Sequence, residues 1–278
     1  MSTMMLAGGK ALRLARLMAR GGERRLLLVP IDHSFSDGPM ATSAGLRSLL
    51  DDLRRAQVDG VVMHKGRVRA FEPGQFVGLG LVVHLSGGTS VAVDQGSKVL
   101  VGGVAEAVAV GADAVSVHVN IGAPSETEQL RDLGLVTGEA SRLGVPVLAM
   151  MYARGRAFEG DRSLEPTTLS HLGAIAADAG ADIVKLPWAG SAEAMRSVVE
   201  SCPLPVVAAG GARPDRPEHT FELASDVMIS GAAGLAVGRS VFEARDPYAV
   251  AHRLAGIVHD PRPAMVAAVS PLSAGVAG

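Results

Sequence analysis

Eight short runs in which nearly every position is apolar punctuate the chain, at 26–31, 60–63, 80–83, 114–119, 145–151, 182–186, 205–209 and 234–237. None of them alternates, so both faces are covered, which is the pattern of parallel strands lying between layers. Between them Ala, Leu and charged residues recur at helical spacing, at 41–56, 104–111, 129–143, 168–179 and 192–199. Several strands follow one small cue, Val-Gly-Ala-Asp-Ala at 110–114, Ala-Gly-Ala-Asp-Ile at 179–183 and Gly-Ala-Ala-Gly-Leu at 231–235, where a glycine ends a helix and the chain turns into the sheet. Eight such units predict an α/β chain folded as a single-domain (β/α)8 TIM barrel over 26–260, after an N-terminal helical segment at 1–25. The tail at 261–278 is small and proline-punctuated and is expected to fray or to cover a neighbouring subunit. The competing fold, an open doubly wound sheet, usually carries Gly-x-Gly-x-x-Gly after its first strand; this chain has Pro30-Ile31-Asp32-His33-Ser34 there.

Composition narrows the function. The 278 residues, 48% of them hydrophobic, can bury roughly 75% of the unfolded surface. A net charge of -2 and an aromatic content of 3% argue against nucleic acid, which needs a basic face and stacking rings. Lys10, Arg13, Arg16, Arg20, Arg24 and Arg25 precede the run at 26–31, but that run is too short for a signal segment and Asp32 closes it. No uncharged apolar stretch approaches membrane-spanning length. Cys202 stands alone, so a disulfide framework and a thiolate zinc cluster are excluded and a reducing cytoplasm is expected. Only four residues are lysine, namely Lys10, Lys65, Lys98 and Lys185, so any lysine chemistry has few candidates.

In a closed barrel, chemistry gathers where the strands end. Those ends carry Asp32-His33, His64-Lys65, His84, His118 with Asn120, Tyr152 with Arg154, Lys185, Gly210-Gly211 and Gly238-Arg239. Lys185 closes an apolar strand, and a desolvated lysine loses its proton more readily than one in water, so its amine can attack a carbonyl to form a Schiff base. Proton transfer beside that amine falls to Asp32 and Tyr152, read as lying at neighbouring strand ends with the parity of Lys185. Lys65 is the rival amine, with His64 as the inward residue of its strand. Glycines after the last two strands, with Arg239 beside them, suit a phosphate held by backbone N–H groups. Four histidines at successive strand ends can ligate a catalytic metal, but no His-x-His pair occurs and a lysine site needs no Lewis acid. They read as a hydrogen-bonding wall, and no metal or other cofactor is expected. His171, His219, His252 and His259 read as solvated.

Val-Pro-Ile-Asp-His, Met-His-Lys-Gly, Ser-Val-His-Val-Asn, Ala-Met-Met-Tyr-Ala-Arg-Gly, Asp-Ile-Val-Lys and Val-Gly-Arg-Ser-Val-Phe follow one another in order. Through them the chain resembles the archaeal-type class I (Schiff-base) aldolases over about 9–260, and within that family the 2-amino-3,7-dideoxy-D-threo-hept-6-ulosonate synthase branch and the related actinobacterial branch leading to aminohydroxybenzoate. The resemblance implies a Schiff base on Lys185 with a ketose phosphate, Tyr152 as proton donor and Asp32 as proton acceptor. It places phosphate on Gly210, Gly211, Gly238 and Arg239 and further substrate contacts on His33 and Arg154. It also implies small-molecule partners, a phosphorylated ketose, either dihydroxyacetone phosphate or a deoxy-keto-hexose phosphate, and an aldehyde such as L-aspartate semialdehyde, and a homo-oligomer, often a decamer of two pentameric rings. Ser34, Ala153 and Leu186-Pro187-Trp188 depart from the family pattern and touch pocket shape rather than the amine. The alternatives are fructose-bisphosphate cleavage, thiolase-like acyl transfer, a metal-dependent lyase and a barrel that only binds a sugar phosphate.

Overall fold

Strands β1 (Leu26–Pro30), β2 (Gly60–His64), β3 (Gly80–His84), β4 (Ala114–Ile121), β5 (Val147–Ala153), β6 (Ile183–Pro187), β7 (Val206–Ala209) and β8 (Gly234–Ala236) pair in parallel in chain order. The last closes on the first through Leu26↔Gly234 and Leu28↔Ala236. The computed structural model describes residues 8–19, 25–40 and 43–260. All eight apolar runs are strands of this closed (β/α)8 barrel, and the boundaries move for local reasons. The run at 145–151 starts later because the Val145 N–H bonds back to the Ala140 carbonyl and so belongs to the helix end. It ends later because β4 and β5 stay in register from Val115↔Val147 to Ile121↔Ala153. The tail at 261–278 lies outside the described residues, as do positions 41 and 42 of the helix predicted over 41–56, which runs Ser43–Arg55.

The period-two pleat sorts the strand side chains into two cores. Leu28, Val62, Val82, Met150, Ile183 and Val207 fill the lumen, while their neighbours Leu27, Val61, Val83, Met151, Val184 and Val206 pack outward against the helices. The lumen is plugged from below by Leu14, Leu17 and Met18 of the N-terminal helix Gly8–Leu17 and the turn after it. Glycine lines that end of the barrel for a steric reason. A Cβ at Gly80 would lie 2.5 Å from Leu17 Cδ1 and 2.9 Å from the Asp59 carbonyl.

The turn cue has a second physical part. Gly111 and Gly180 end their helices in the left-handed region, at φ +92 and +86. The aspartate two residues on then reaches sideways to the preceding strand. Asp113 Oδ2 accepts from the Leu81 N–H at 2.9 Å and Asp182 Oδ2 from Val147 at 2.9 Å, and Asp59 does the same for Leu27 at 2.6 Å. Asp182 further holds the N-terminal helix, because Lys10 Nζ donates to its Oδ2 at 2.7 Å with side chains only 10% and 4% exposed.

Removing one partner of a buried pair leaves an uncompensated charge. Lys10→Met is therefore expected to lower the unfolding free energy in urea by about 3 kcal/mol, whereas Arg55→Ala, which breaks the exposed pair to Asp52, should stay within about 0.5 kcal/mol. A loss below about 1 kcal/mol for Lys10→Met would show that the plug is held by apolar contact alone.

Candidate active site

Alternation that puts Leu28 and Met150 into the lumen also decides which polar groups face it above the apolar layer. On β6 the inward residues are Ile183 and Lys185, the latter 8% exposed and set between Met150 on β5 and Val207 on β7. Tyr152 packs on the luminal cluster two residues beyond Met150, and Asp32 follows β1 at the same parity as Leu26 and Leu28. His64 and His84 lie opposite each other in the β2–β3 ladder, with rings 5.2 Å apart. Ser116 and His118 come from β4, where Ser116 Oγ bonds His84 Nδ1 at 2.8 Å.

One correction concerns the placing of Asp32. Tyr152 is on a strand adjacent to that of Lys185, but Asp32 is not on a neighbouring strand end. In the barrel order β6-β7-β8-β1 it faces the amine from across the mouth. Among the described residues no side chain holds the Lys185 amine in an ion pair or hydrogen bond. The other lysines are disposed differently. Lys10 is at the opposite end of the barrel, and Lys65, one residue past the inward His64, points outward and bonds both Glu106 oxygens at 2.6 Å. A second correction concerns His259, which is not solvated: its side chain is 14% exposed and its Nε2 lies 3.1 Å from Asp59 Oδ2.

The turns after β7 and β8 lie side by side, with the Gly210 N–H donating to the Ala236 carbonyl at 2.8 Å and Arg239 Nη2 donating to the Gly211 carbonyl at 3.1 Å. Gly211 has φ +69, with open space where a Cβ would point. His33 sits between this edge and Asp32, 3.4 Å from Asp32 Oδ1 and edge-on to Phe242 at 5.5 Å. On the other side Tyr152 stacks on His118 at 4.8 Å and carries the Arg154 guanidinium 5.4 Å from its ring centre. Arg154 is fixed by its backbone, which donates to the Ile121 carbonyl at 2.7 Å. There Gly122 and Gly155, both at positive φ, let two loops cross where any Cβ would overlap the opposite chain. The departures from the family pattern have local roles: Ser34 Oγ accepts from Arg67 at 3.2 Å, and Trp188 packs on the outer core rather than the lumen.

A sequence profile described as DeoC/LacD family aldolase matches residues 26–244. The chain belongs to the DeoC/LacD aldolase family. It is a class I aldolase, an enzyme that forms or breaks a carbon–carbon bond. The 2-amino-4,5-dihydroxy-6-oxo-7-(phosphonooxy)heptanoate synthase of Streptomyces griseus is 41% identical to it over 251 residues, 90% of each chain. The 2-amino-3,7-dideoxy-D-threo-hept-6-ulosonate synthase of Halobacterium salinarum is 36% identical over 256 residues, 92% of this chain and 94% of the relative. Among solved structures, an archaeal fructose-1,6-bisphosphate aldolase with its catalytic lysine covalently bound to the carbinolamine intermediate superposes with a TM-score of 0.82 at 26% identity. That match covers 90% of this chain and 100% of the other.

In this aldolase the barrel mouth is electrically sorted. Burial alone would push the Asp32 carboxyl up, but His84, His33, Lys185 and His64 pull harder the other way and hold it below its ordinary value. Burial pushes the imidazoles down, His84 to about 4 and His118 to about 3, the latter despite its 2.9 Å bond to Asn120 Oδ1. His33 and His64 move the same way, partly countered by Asp32. At neutral pH His84 and His118 are therefore uncharged hydrogen-bonding groups around an ionised Asp32. Lys98, which nothing in the local sequence ties to a strand end, also reaches this mouth, because a short ribbon pairing Ser86↔Leu100 and Gly87↔Val99 folds it back onto Gly88.

These shifts fix the acid limb of stability. The unfolded chain binds a proton on each histidine near 6.5, while folded His84 and His118 bind one only near 4 and 3. The unfolded state thus holds more protons in between, and stability must fall as pH drops below 6.5. Each histidine contributes up to about 1.4 kcal/mol per pH unit in that window. Urea titrations at pH 7 and 4.5 should show a shallower loss for His84→Gln than for the wild type; an equal loss would place the folded His84 near its ordinary value.

Proposed function

We propose that this aldolase condenses dihydroxyacetone phosphate with L-aspartate semialdehyde through a Schiff base on Lys185. The observation that carries the reading is the placing of the four lysines. Only Lys185 projects into the lumen, unpaired, in one polar layer with Asp32 and Tyr152. The substrates follow from the product named for the 41% identical relative. Cutting that seven-carbon chain between C4 and C5, next to the carbon beside the C6 ketone, leaves a three-carbon ketose phosphate and a four-carbon 2-amino acid aldehyde. The product named for the 36% identical relative has the same amino-acid head on a tail without the phosphate, so one acceptor accounts for both products.

The steps balance without an added reactant. The Lys185 amine attacks the donor C2 carbonyl and water leaves, giving an iminium. Loss of a proton from C3 gives the enamine, and Asp32, held ionised, is the base for it. The enamine carbon then bonds to the aldehyde carbon, whose oxygen takes a proton from the Tyr152 hydroxyl. Water hydrolyses the new iminium and restores the amine, and the proton taken by Asp32 returns through solvent to the Tyr152 oxygen, which resets both groups. Backbone N–H groups of Gly211 and Gly238, with Arg239, receive the donor phosphate; Gly210, whose N–H is bonded to the Ala236 carbonyl, borders that site without donating to it, and His33 and Arg154 contact the rest of the substrates. Neither a metal nor another cofactor is required. We extend the proposal to a homo-oligomer working in the cytoplasm, in keeping with the family and the lone Cys202.

Borohydride added with dihydroxyacetone phosphate should attach the donor mass to the peptide carrying Lys185; label on Lys65, or none, overturns the assignment. Tyr152→Phe and Asp32→Asn should each lower kcat by about 10²–10⁴-fold, with the first still trapped by borohydride. Turnover with aspartate semialdehyde should exceed that with glyceraldehyde 3-phosphate; the reverse order would favour fructose-bisphosphate chemistry.

A further inference from the structure

A cleft of about 460 Å³ opens beside the mouth, next to Tyr152, and its wall includes Asp94, Gly96, Lys98, His118, Asn120 and Arg154. His118 is the ring on which Tyr152 stacks, and Arg154 is the guanidinium above the tyrosine ring, so the cleft and the proton-donor position share two walls. The floor is rigid. The Gly96 carbonyl accepts from Asn120 Nδ2 at 2.7 Å and from Gln129 Nε2 at 3.0 Å, and the Asn120 N–H donates to Gln129 Oε1 at 2.8 Å. Asp94 is held in place by the Gly96 N–H at 2.9 Å and by Ser125 Oγ at 3.4 Å, and a carboxylate bonded only twice keeps further acceptor sites.

The charges in this cleft are unequal. Among the described residues neither Lys98 nor Arg154 forms an ion pair with a carboxylate, and Lys98 donates only a long bond of 3.5 Å to the Gln95 carbonyl. Lys98 is half-buried, and burial together with Arg154 lowers its affinity for a proton, while Asp37 and Asp94 counter this in part. An anion between the two cations would offset their mutual repulsion. Two cations without an ion pair and one partly bonded carboxylate, lining one cleft with the His118 ring on which Tyr152 stacks, are complementary to a group bearing one carboxylate and one ammonium.

We propose that this cleft receives the amino-acid head of the acceptor aldehyde, with Lys98 and Arg154 pairing its carboxylate and Asp94 its ammonium. This assignment rests on the reaction proposed above and adds what selects the acceptor. The reach required is short. In a four-carbon aldehyde the carboxyl carbon is three bonds from the reacting carbon, a reach of about 3.8 Å, the span of the three bonds between successive Cα atoms. An aldehyde whose oxygen meets the Tyr152 hydroxyl would therefore carry its head to the groups beside that ring, where His118 and Arg154 stand.

Three four-carbon aldehydes separate the charges: aspartate semialdehyde has both, succinic semialdehyde only the carboxylate, and butanal neither. In Lys98→Met and in Arg154→Met the ratio of kcat/KM for aspartate semialdehyde over butanal should fall by about tenfold or more. In Asp94→Asn the ratio for aspartate over succinic semialdehyde should fall by about fivefold. Each ratio is internal to one preparation, so partial misfolding cancels. Ratios that change less than about twofold, or a rise confined to the KM of dihydroxyacetone phosphate, overturn the cleft assignment. Solvent exchange of the donor C3 proton without any aldehyde reports the Schiff-base step alone. Exchange with unchanged ratios sinks only the cleft, whereas no exchange in the wild type sinks the Lys185 chemistry and the cleft with it.

Discussion

Lys185 brings its amine into the barrel at 8% exposure, and Asp32 is the carboxylate within coulombic reach of it. The rest of the mouth is arranged around the two. If His33, His64 and His84 were charged, three cations would crowd one carboxylate. Burial prevents this by favouring the neutral imidazoles, so the layer keeps its hydrogen-bonding capacity without a surplus of positive charge. The separation of Asp32 from Lys185 across the mouth matters as much as their attraction. A direct ion pair would tie the amine down, whereas attraction through the lumen leaves room for a carbonyl to arrive between them.

The same chain shows what a tied lysine looks like. Lys10 meets Asp182 at 2.7 Å and Lys65 meets Glu106 at 2.6 Å, and both amines hold elements together: the N-terminal helix to the barrel floor in one case, β2 to the next helical layer in the other. Distance to the nearest carboxylate therefore divides the lysines into two that brace and two that face space. The second pair, Lys185 and Lys98, lies on the two sides of Tyr152, so the proposed covalent step and the proposed acceptor contact fall within one side chain of each other.

Much of this was legible in the sequence because it depends on periods of two. The apolar runs gave all eight strands, and parity alone predicted that Lys185, Tyr152 and Asp32 face one lumen and that His64, not Lys65, is inward. What parity does not carry is angular position around the barrel, so Asp32 was placed beside the amine rather than opposite it. Lys98 was illegible for another reason. It is followed by only two ribbon residues, Val99 and Leu100, too few to show a pattern, and only their pairing with Ser86 and Gly87 returns the loop to the mouth. His259 failed similarly, because its partner Asp59 lies 200 positions earlier and no local signal joins them.

The glycines after β7 and β8 stand where they do for mixed causes. A Cβ at Gly238 would sit 2.6 Å from the Pro30 carbonyl and 3.1 Å from His33, and one at Gly210 would sit 2.9 Å from Val237. Closing β8 onto β1 therefore demands Gly238, and the approach of the β7 turn to β8 demands Gly210, whether or not a phosphate binds. Gly211 differs: its φ of +69 is a conformation that favours glycine, yet no atom lies within 4 Å of where its Cβ would point. Packing does not fill that space, and Arg239, bonded to the Gly211 carbonyl, borders it. The case for an anion at this edge thus rests on Gly211 and Arg239, while Gly210 and Gly238 are what let the two turns come close enough to form it.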